Sequence, residues 1–371
     1  MLKPTFLSDR PEQYPVLLQS DITFKSKVFW WEPHPWGSPD IFTYIDKDTV
    51  KGNYFIVVDC SPDPIYQDYL ERSYLKTILI FFRENNISFK RLIVLTPSPD
   101  YIFIDKKVDY KHMFFSSFWV NVKNAYKKGK FTNSPKKIDK TFFTLMRRDT
   151  KPRCLLNYML HKKKVHDKGF VTHNRANPDV VSTDKVTLSS MIDHFPNIDK
   201  EILKEKGLST HLIDAPHIPT FYSREFTDYH MLKHNLHSDL SSKSLIEVVV
   251  ETQNLDRMFF TEKTLKTFLA KNIFIVFNNQ YSLKFLKGLG FKTFEGIIDE
   301  RYDDISDMYD RASAICDEVK RLSMLSFKEQ NQIYLDSLDI IEHNYNHYLK
   351  GDWTFNLYNR IERHIDETIL C

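Results

Sequence analysis

Glycine is scarce in this chain, nine in 371 residues, and neither GxGxxG nor GxxxxGK[ST] occurs, which removes the Gly-rich dinucleotide and P-loop signatures. The four cysteines, Cys60, Cys154, Cys316 and Cys371, lie far apart with no CxxC pair. That excludes a disulfide framework and the usual zinc spacings, and leaves reduced thiols as the expectation. No stretch approaches the roughly 20 apolar residues of a membrane span, and the first ten residues carry no apolar core of signal-peptide length. No membrane partner is expected, and the location expected is a cytoplasm, that of a host if the chain is viral. Fourteen histidines are scattered without HExxH, no GxSxG occurs, and Asp303-Asp304 falls at an expected helix start rather than at a strand end. Neither a metal site nor a serine-nucleophile hydrolase is expected.

What is present is a large apolar and aromatic fraction, 42% and 14%, in a chain too long for one core. Two domains with substantial cores are therefore expected. Lys, Asn, Ile, Phe and Tyr are common, a bias that AT-rich genomes produce, viral ones among them.

The most informative stretch is 245–277. Leu245 to Val250 reads as a buried strand, Thr261 as an N-cap, Leu265, Phe268 and Leu269 as one face of a helix, and Ile273 to Phe277 as a second strand. This is a βαβ crossover. Glu262 and Lys263 fall in the first helical turn, where unpaired N–H groups and the helix dipole attract anions. A lysine there neutralises a phosphate, and a glutamate accepts hydrogen bonds from sugar hydroxyls. The Asn of Ala270-Lys271-Asn272 is expected to take the left-handed turn that follows. Further on, the pattern gives a helix over 282–289, a short strand over 292–294, a helix over 304–322 and a helical tail from 327 interrupted near Gly351-Asp352.

Phe260-Thr261-Glu262-Lys263-Thr264-Leu265-Lys266 resembles the donor-site motif of fucosyltransferase-like and exostosin-like glycosyltransferases. The likeness runs through Tyr281–Leu286 and Gly290–Phe294 to Asp299–Asp303. It implies a GT-B arrangement: two Rossmann-like parallel-sheet domains, with C-terminal helices crossing back. The expected division is 1–140 for the acceptor side, 141–326 for nucleotide-sugar binding and 327–371 for the returning helices. The resemblance also implies donor contacts from Glu251, Thr261, Glu262, Lys263 and Lys266, and from Arg147 or Arg148 after the strand at 142–145. Guanidinium suits a diphosphate because its fork is planar and permanently charged.

In the first 140 residues, strands are expected at 54–58 and 91–95 with a helix over 69–82 between them, and the lysine-rich 123–140 reads as a linker. Parallel sheets bind ligands at the carboxyl ends of their strands. A base for the acceptor hydroxyl is sought there, among Asp59, Asp63 and Asp100, or in the octet Trp30 to Gly37, which holds Glu32 and His34 between tryptophans. Those tryptophans are either a stacking platform or core. Between 106 and 164 stand seventeen Lys or Arg against three acids, interleaved with aromatics, the composition of a nucleic-acid-facing surface or of solvated helix faces. The expected function is transfer of a sugar from a nucleotide-sugar to a hydroxyl, with a glycan or small acceptor slightly favoured over a hydroxymethylated DNA base. The alternative is a non-catalytic nucleotide- or nucleic-acid-binding protein. Neither a cofactor nor an oligomeric state is indicated.

Overall fold

The structure is a computed structural model. It describes residues 2–7, 23–31, 54–60, 75–99, 108–128, 135–146, 150–173, 186, 188–203, 238–251 and 258–369. The chain divides into two compact units, Met1–Asn121 with Asp352–Cys371, and Val122–Gly351.

The first unit holds a parallel sheet of β1 (Thr5–Leu7), β2 (Lys27–Trp31), β3 (Tyr54–Asp59), β4 (Leu92–Thr96) and β5 (Lys111–Phe114), arranged in sequence order. The expected strands at 54–58 and 91–95 are β3 and β4. All six residues of β3 are buried, as befits a parallel strand covered on both faces. Helix α1 (Leu75–Glu84) covers one face, closing Ile78 and Phe82 over Phe29, Trp31, Ile56, Val58 and Val94. Right-handed crossovers that all run one way lay their connections on one face, so the opposite face needs another cover. The last helix of the chain provides it. Tyr358 packs on Trp30, and the His364 ring on Phe55, while His364 Nε2 bonds the Lys90 carbonyl at 2.7 Å.

Trp30 and Trp31 are fully buried in β2, so they are core and not a platform. Residues 123–128, expected as linker, belong to helix α2 (Ser117–Lys128), within which the chain passes from the first unit to the second.

The second unit holds β6 (Lys140–Met146), β7 (Gly169–His173), β8 (Ser244–Val250) and β9 (Ile273–Phe277), all parallel, in the order β7-β6-β8-β9. Helix α3 (Lys151–Lys162) links β6 to β7. Short helices α4 (Leu188–His194) and α5 (Ser238–Lys243) precede β8. Helix α6 (Glu262–Leu269) links β8 to β9, and α7 (Ser282–Gly288), α8 (Met308–Ser323), α9 (Phe327–Asp336) and α10 (Leu338–Lys350) follow. Helix α8 packs on α3, and α10 on α6. The final helix, α11 (Leu357–Ile369), is the one that covers the first sheet.

Three local expectations are corrected. Residues 292–294 form no strand: the Asn344 side chain takes both the N–H and the C=O of Lys292 at 2.8 Å, and Glu300 takes the N–H of Phe294 at 2.6 Å. The left-handed residue after α6 is Lys271, at φ 56°, and not Asn272, whose amide is committed elsewhere. The helix expected from 304 starts at Met308 under an Asp307 cap. Asp303 instead accepts from Ser282 Oγ and from the N–H groups of Leu283 and Lys284, capping α7.

Candidate functional site

In the second sheet the chain leaves β6 toward β7 on one side and later lays β8 on the other. Oppositely directed right-handed crossovers place α3 and α6 on opposite faces. The carboxyl ends of β6 and β8 therefore frame a topological switch point, where open α/β sheets bind ligands. The described strands of the first sheet, in unbroken order, frame none. Into the switch point project the first turn of α3, the end of β8 and the first turn of α6.

Glu251, at the end of β8, is 2% exposed. Its carboxylate accepts from the Thr261 N–H at 3.0 Å, the Thr261 hydroxyl at 2.5 Å and the Thr264 hydroxyl at 2.7 Å. Thr261 caps α6 as expected, accepting from the Lys263 N–H at 3.2 Å and the Lys263 ammonium at 3.0 Å. The ammonium also lies 3.7 Å from Glu251 and 3.9 Å from Glu262. Glu251 thus ties the end of β8 to the start of α6 and holds the Thr261 oxygen that Lys263 meets.

Glu262 and Lys263 keep about a fifth of their side chains exposed, at 22% and 21%. Burial opposes ionisation of Glu262, but Lys263, Lys266, its own backbone N–H and Arg153 outweigh it and hold the carboxyl below its ordinary range. Burial lowers the Lys266 pKa, against the pull of Glu262 and of Glu247 beneath it.

Glu247, in the middle of β8, begins a polar network under α6. Burial pushes its carboxyl up to about 7. Asn272 Nδ2 donates to it at 2.9 Å, while Asn272 Oδ1 accepts from Ser241 Oγ at 2.5 Å and from the Lys136 ammonium at 3.2 Å. That ammonium also donates to the carbonyls of Ser241 and Ser244, and burial pushes its pKa down to about 7.

Arg153, in the first turn of α3, is 2% exposed, and its charge is the least of the influences that lower the Glu262 carboxyl. Sequence reasoning missed it. The available signal was a cation placed at the positive end of a helix dipole.

Arg147 and Arg148 lie outside the described residues, as do Glu32, His34, Asp63 and Asp100. Asp59, in the first unit, is 1% exposed at the end of β3 and accepts from Trp30 Nε1 at 3.0 Å. Tyr358, whose hydroxyl is made less acidic by burial and by Asp59, lies beside it. Of the basic stretch, Lys123 donates to the Gly351 carbonyl, Lys162 to the Tyr309 hydroxyl and Lys163 to Asp317. Lys127, Lys137 and Lys164 are exposed. Among the described residues no three His, Cys, Asp or Glu side chains group to hold a metal ion, and no helix is long and apolar enough to cross a membrane.

No protein-family model and no curated protein sequence matches the chain. Among solved structures, it is similar to a DNA-modifying β-glucosyltransferase determined in the presence and absence of uridine diphosphoglucose. The identity is 9% and the TM-score 0.42, over 92% of this chain and 82% of that one. A likeness of that size carries no argument about function, which has to be read from the chain's own geometry.

Proposed function

We propose that the chain is a GT-B-type glycosyltransferase that moves a sugar from a nucleotide-sugar to a hydroxyl acceptor without a metal ion. The observation that carries this reading is the pairing of Glu262 and Lys263 on a capped first helical turn at the switch point. Lys263, with an arginine of the 147–148 pair, neutralises the diphosphate, and ionised Glu262 accepts from the ribose hydroxyls. The first unit supplies the acceptor side and the base, drawn from Asp59, Asp63, Glu32 and His34. As the acceptor oxygen attacks the anomeric carbon it gives its proton to that base. The bond from sugar to diphosphate breaks, and the leaving group carries away the electron pair under the cations. The acceptor we favour is a glycan or a small hydroxylated molecule, ahead of a hydroxymethylated DNA base.

Thermal-shift titration with UDP, GDP, CMP and their sugars, with and without EDTA, tests the reading. Stabilisation by at least one, unaffected by EDTA and weakened tenfold or more by Lys263→Ala, is expected, since a charge-assisted contact contributes about 1.5–3 kcal/mol. Stabilisation by none overturns it. A second reading, a nucleotide-binding protein without catalysis, is favoured by the burial of Asp59 against Trp30. Slow hydrolysis of the bound donor, expected of a transferase, tells the two apart.

A further inference from the structure

In the first unit the segments that follow β4 and β5 are tied together through Thr96. Its carbonyl accepts from the Phe115 N–H at 2.9 Å. Its hydroxyl meets His112 Nε2 at 2.6 Å and donates to the Ser98 carbonyl at 3.0 Å. Ser98 and Ser116 therefore stand at the carboxyl ends of neighbouring parallel strands, the edge at which such sheets take ligands. Both serines are wholly buried, and neither hydroxyl has a hydrogen-bond partner among the described residues. A hydroxyl buried in that way is costly. Two of them at one edge mark a place where a ligand supplies the missing bonds.

Ser116 also immediately precedes α2, and its carbonyl accepts from the Trp119 N–H at 3.3 Å. A serine there ordinarily caps the helix by accepting from one of the first N–H groups, which have no partner within the helix. The Ser116 hydroxyl makes no such bond. It stands with its bonding capacity unused at the positive end of a twelve-residue helix. A cation is close by. The half-buried Arg360 of α11 donates at 3.2 Å to the carbonyl of Phe114, two residues before Ser116. Burial works against its charge, and no carboxylate among the described residues opposes that effect. His112, on the same strand as Phe114, gives no counter-charge, since burial and Arg360 push its pKa down to about 4. Asp59 is on β3, two strands from β5 and so roughly 10 Å away. A water molecule would satisfy the hydroxyls and leave the guanidinium and the helix end without an anion.

We propose that the N-terminus of α2, the hydroxyls of Ser98 and Ser116 and the guanidinium of Arg360 form a site for the terminal phosphate of a small phosphorylated molecule. All of these groups donate, and a phosphomonoester presents three oxygens that accept. A phosphodiester presents only two. None of these residues is assigned to the nucleotide, so the site stands whether or not the proposed transfer does. Where the transfer holds, the phosphorylated molecule is the acceptor.

The test adds inorganic phosphate, glucose 6-phosphate, glucose or a single-stranded oligonucleotide to the full chain at constant ionic strength. Binding is followed by calorimetry and by the amide resonances of Ser117 and Phe118. Phosphate and glucose 6-phosphate are expected to shift both amides to saturation, and glucose to leave them in place. Ser116→Ala removes a hydroxyl that caps nothing, so the melting temperature should hold while phosphate affinity falls about tenfold. Arg360→Gln should weaken phosphate at least as much, and Arg360→Lys should restore part of the loss. Lys263→Ala should leave phosphate at these amides unaffected, which separates failure of this site from failure of the nucleotide site. Amides unmoved by phosphate and by glucose 6-phosphate overturn the proposal, as does an affinity unchanged by both Ser116→Ala and Arg360→Gln. A melting temperature lowered by Ser116→Ala as by the loss of a helix cap overturns it too. Tighter binding of the oligonucleotide than of glucose 6-phosphate at these amides would put a diester there and overturn the small-molecule assignment.

Discussion

The carboxylate of Glu251 accepts both polar hydrogens of Thr261, the backbone N–H at 3.0 Å and the hydroxyl at 2.5 Å, and so fastens the end of β8 to the start of α6 ten residues later. Having donated, the Thr261 oxygen keeps its lone pairs for the N–H and ammonium of Lys263. One buried carboxylate therefore fixes the cap, and the cap fixes the cation.

Glu251→Gln tests that order. An amide has one accepting oxygen where the carboxylate had two, so a buried donor among Thr261 N–H, Thr261 Oγ1 and Thr264 Oγ1 loses its acceptor. The expected loss of stability is about 2–3 kcal/mol. It should appear in urea unfolding of the second unit, together with faster amide exchange at Thr261 and Lys263. Exchange and stability like the wild type's would show that the loop is held by something else.

Glu247→Gln should act in the opposite direction, with a defined pH window. The Glu247 carboxyl is raised in the folded protein to about 7 from its ordinary value of 4.5. A raised acid favours folding fully below its unfolded pKa, and that contribution disappears as pH rises through the folded value. The glutamine variant carries no charge to bury and still accepts from Asn272. It is expected to match the wild type near pH 4.5 and to exceed it by about 1–3 kcal/mol at pH 8, where the wild type has to bury the charge. Melting curves at pH 4.5, 6 and 8 check this. A variant less stable than the wild type at pH 8 would mean that the ion pairs outweigh the burial.

The second unit was the more legible half of the chain, and the reason is physical. β8, α6 and β9 each show their own period, and Thr261 stands at the one place where a cap was needed. In the first unit β5 is an edge strand of four residues with no apolar run, and the tryptophans of β2 resembled a binding surface until the sheet closed over them. Elsewhere distant partners decided. Asn272 gave up the left-handed turn because Glu247, Ser241 and Lys136 claim its amide, and 292–294 gave up a strand because Asn344, 52 residues on, takes the bonds of Lys292. The burial of Arg153 depends on what covers α3 on every side, which no local pattern carries. The Glu262–Lys263 start of α6 could be read from the sequence, and the switch point that gives it meaning could not, because strand order is a property of the sheet.

Ile361→Ala tests the role of α11 as the second cover of the first sheet. Ile361 is wholly buried. All five tryptophans of the chain fall in that unit, so their fluorescence reports on it alone. Truncation of a buried isoleucine costs about 2–5 kcal/mol. The fluorescence transition in urea is expected to move to lower denaturant by that amount, while unfolding of the second unit, followed by helix signal, stays in place. A helix that merely lies on the surface would leave the fluorescence midpoint where it was.

The basic stretch separates into lysines that hold the fold and lysines that face solvent, and the two groups predict different outcomes. Lys123 and Lys136 donate to carbonyls of their own unit, so their replacement by alanine should lower stability and leave any DNA affinity with the same salt dependence. Lys127, Lys137 and Lys164 are exposed, and if they meet phosphates each releases counterions on binding. The logarithm of affinity then falls with the logarithm of salt by about 0.9 per contact on duplex DNA. The triple alanine variant should flatten that slope by about 2 to 3 without changing the melting temperature. Fluorescence anisotropy of a labelled duplex and a labelled single strand, between 50 and 200 mM salt, gives the slope directly. An affinity unmoved by the triple change, with DNA still bound, would put the contact on another face. No binding of either strand form at the lowest salt would remove DNA as the acceptor and leave the glycan reading to stand alone.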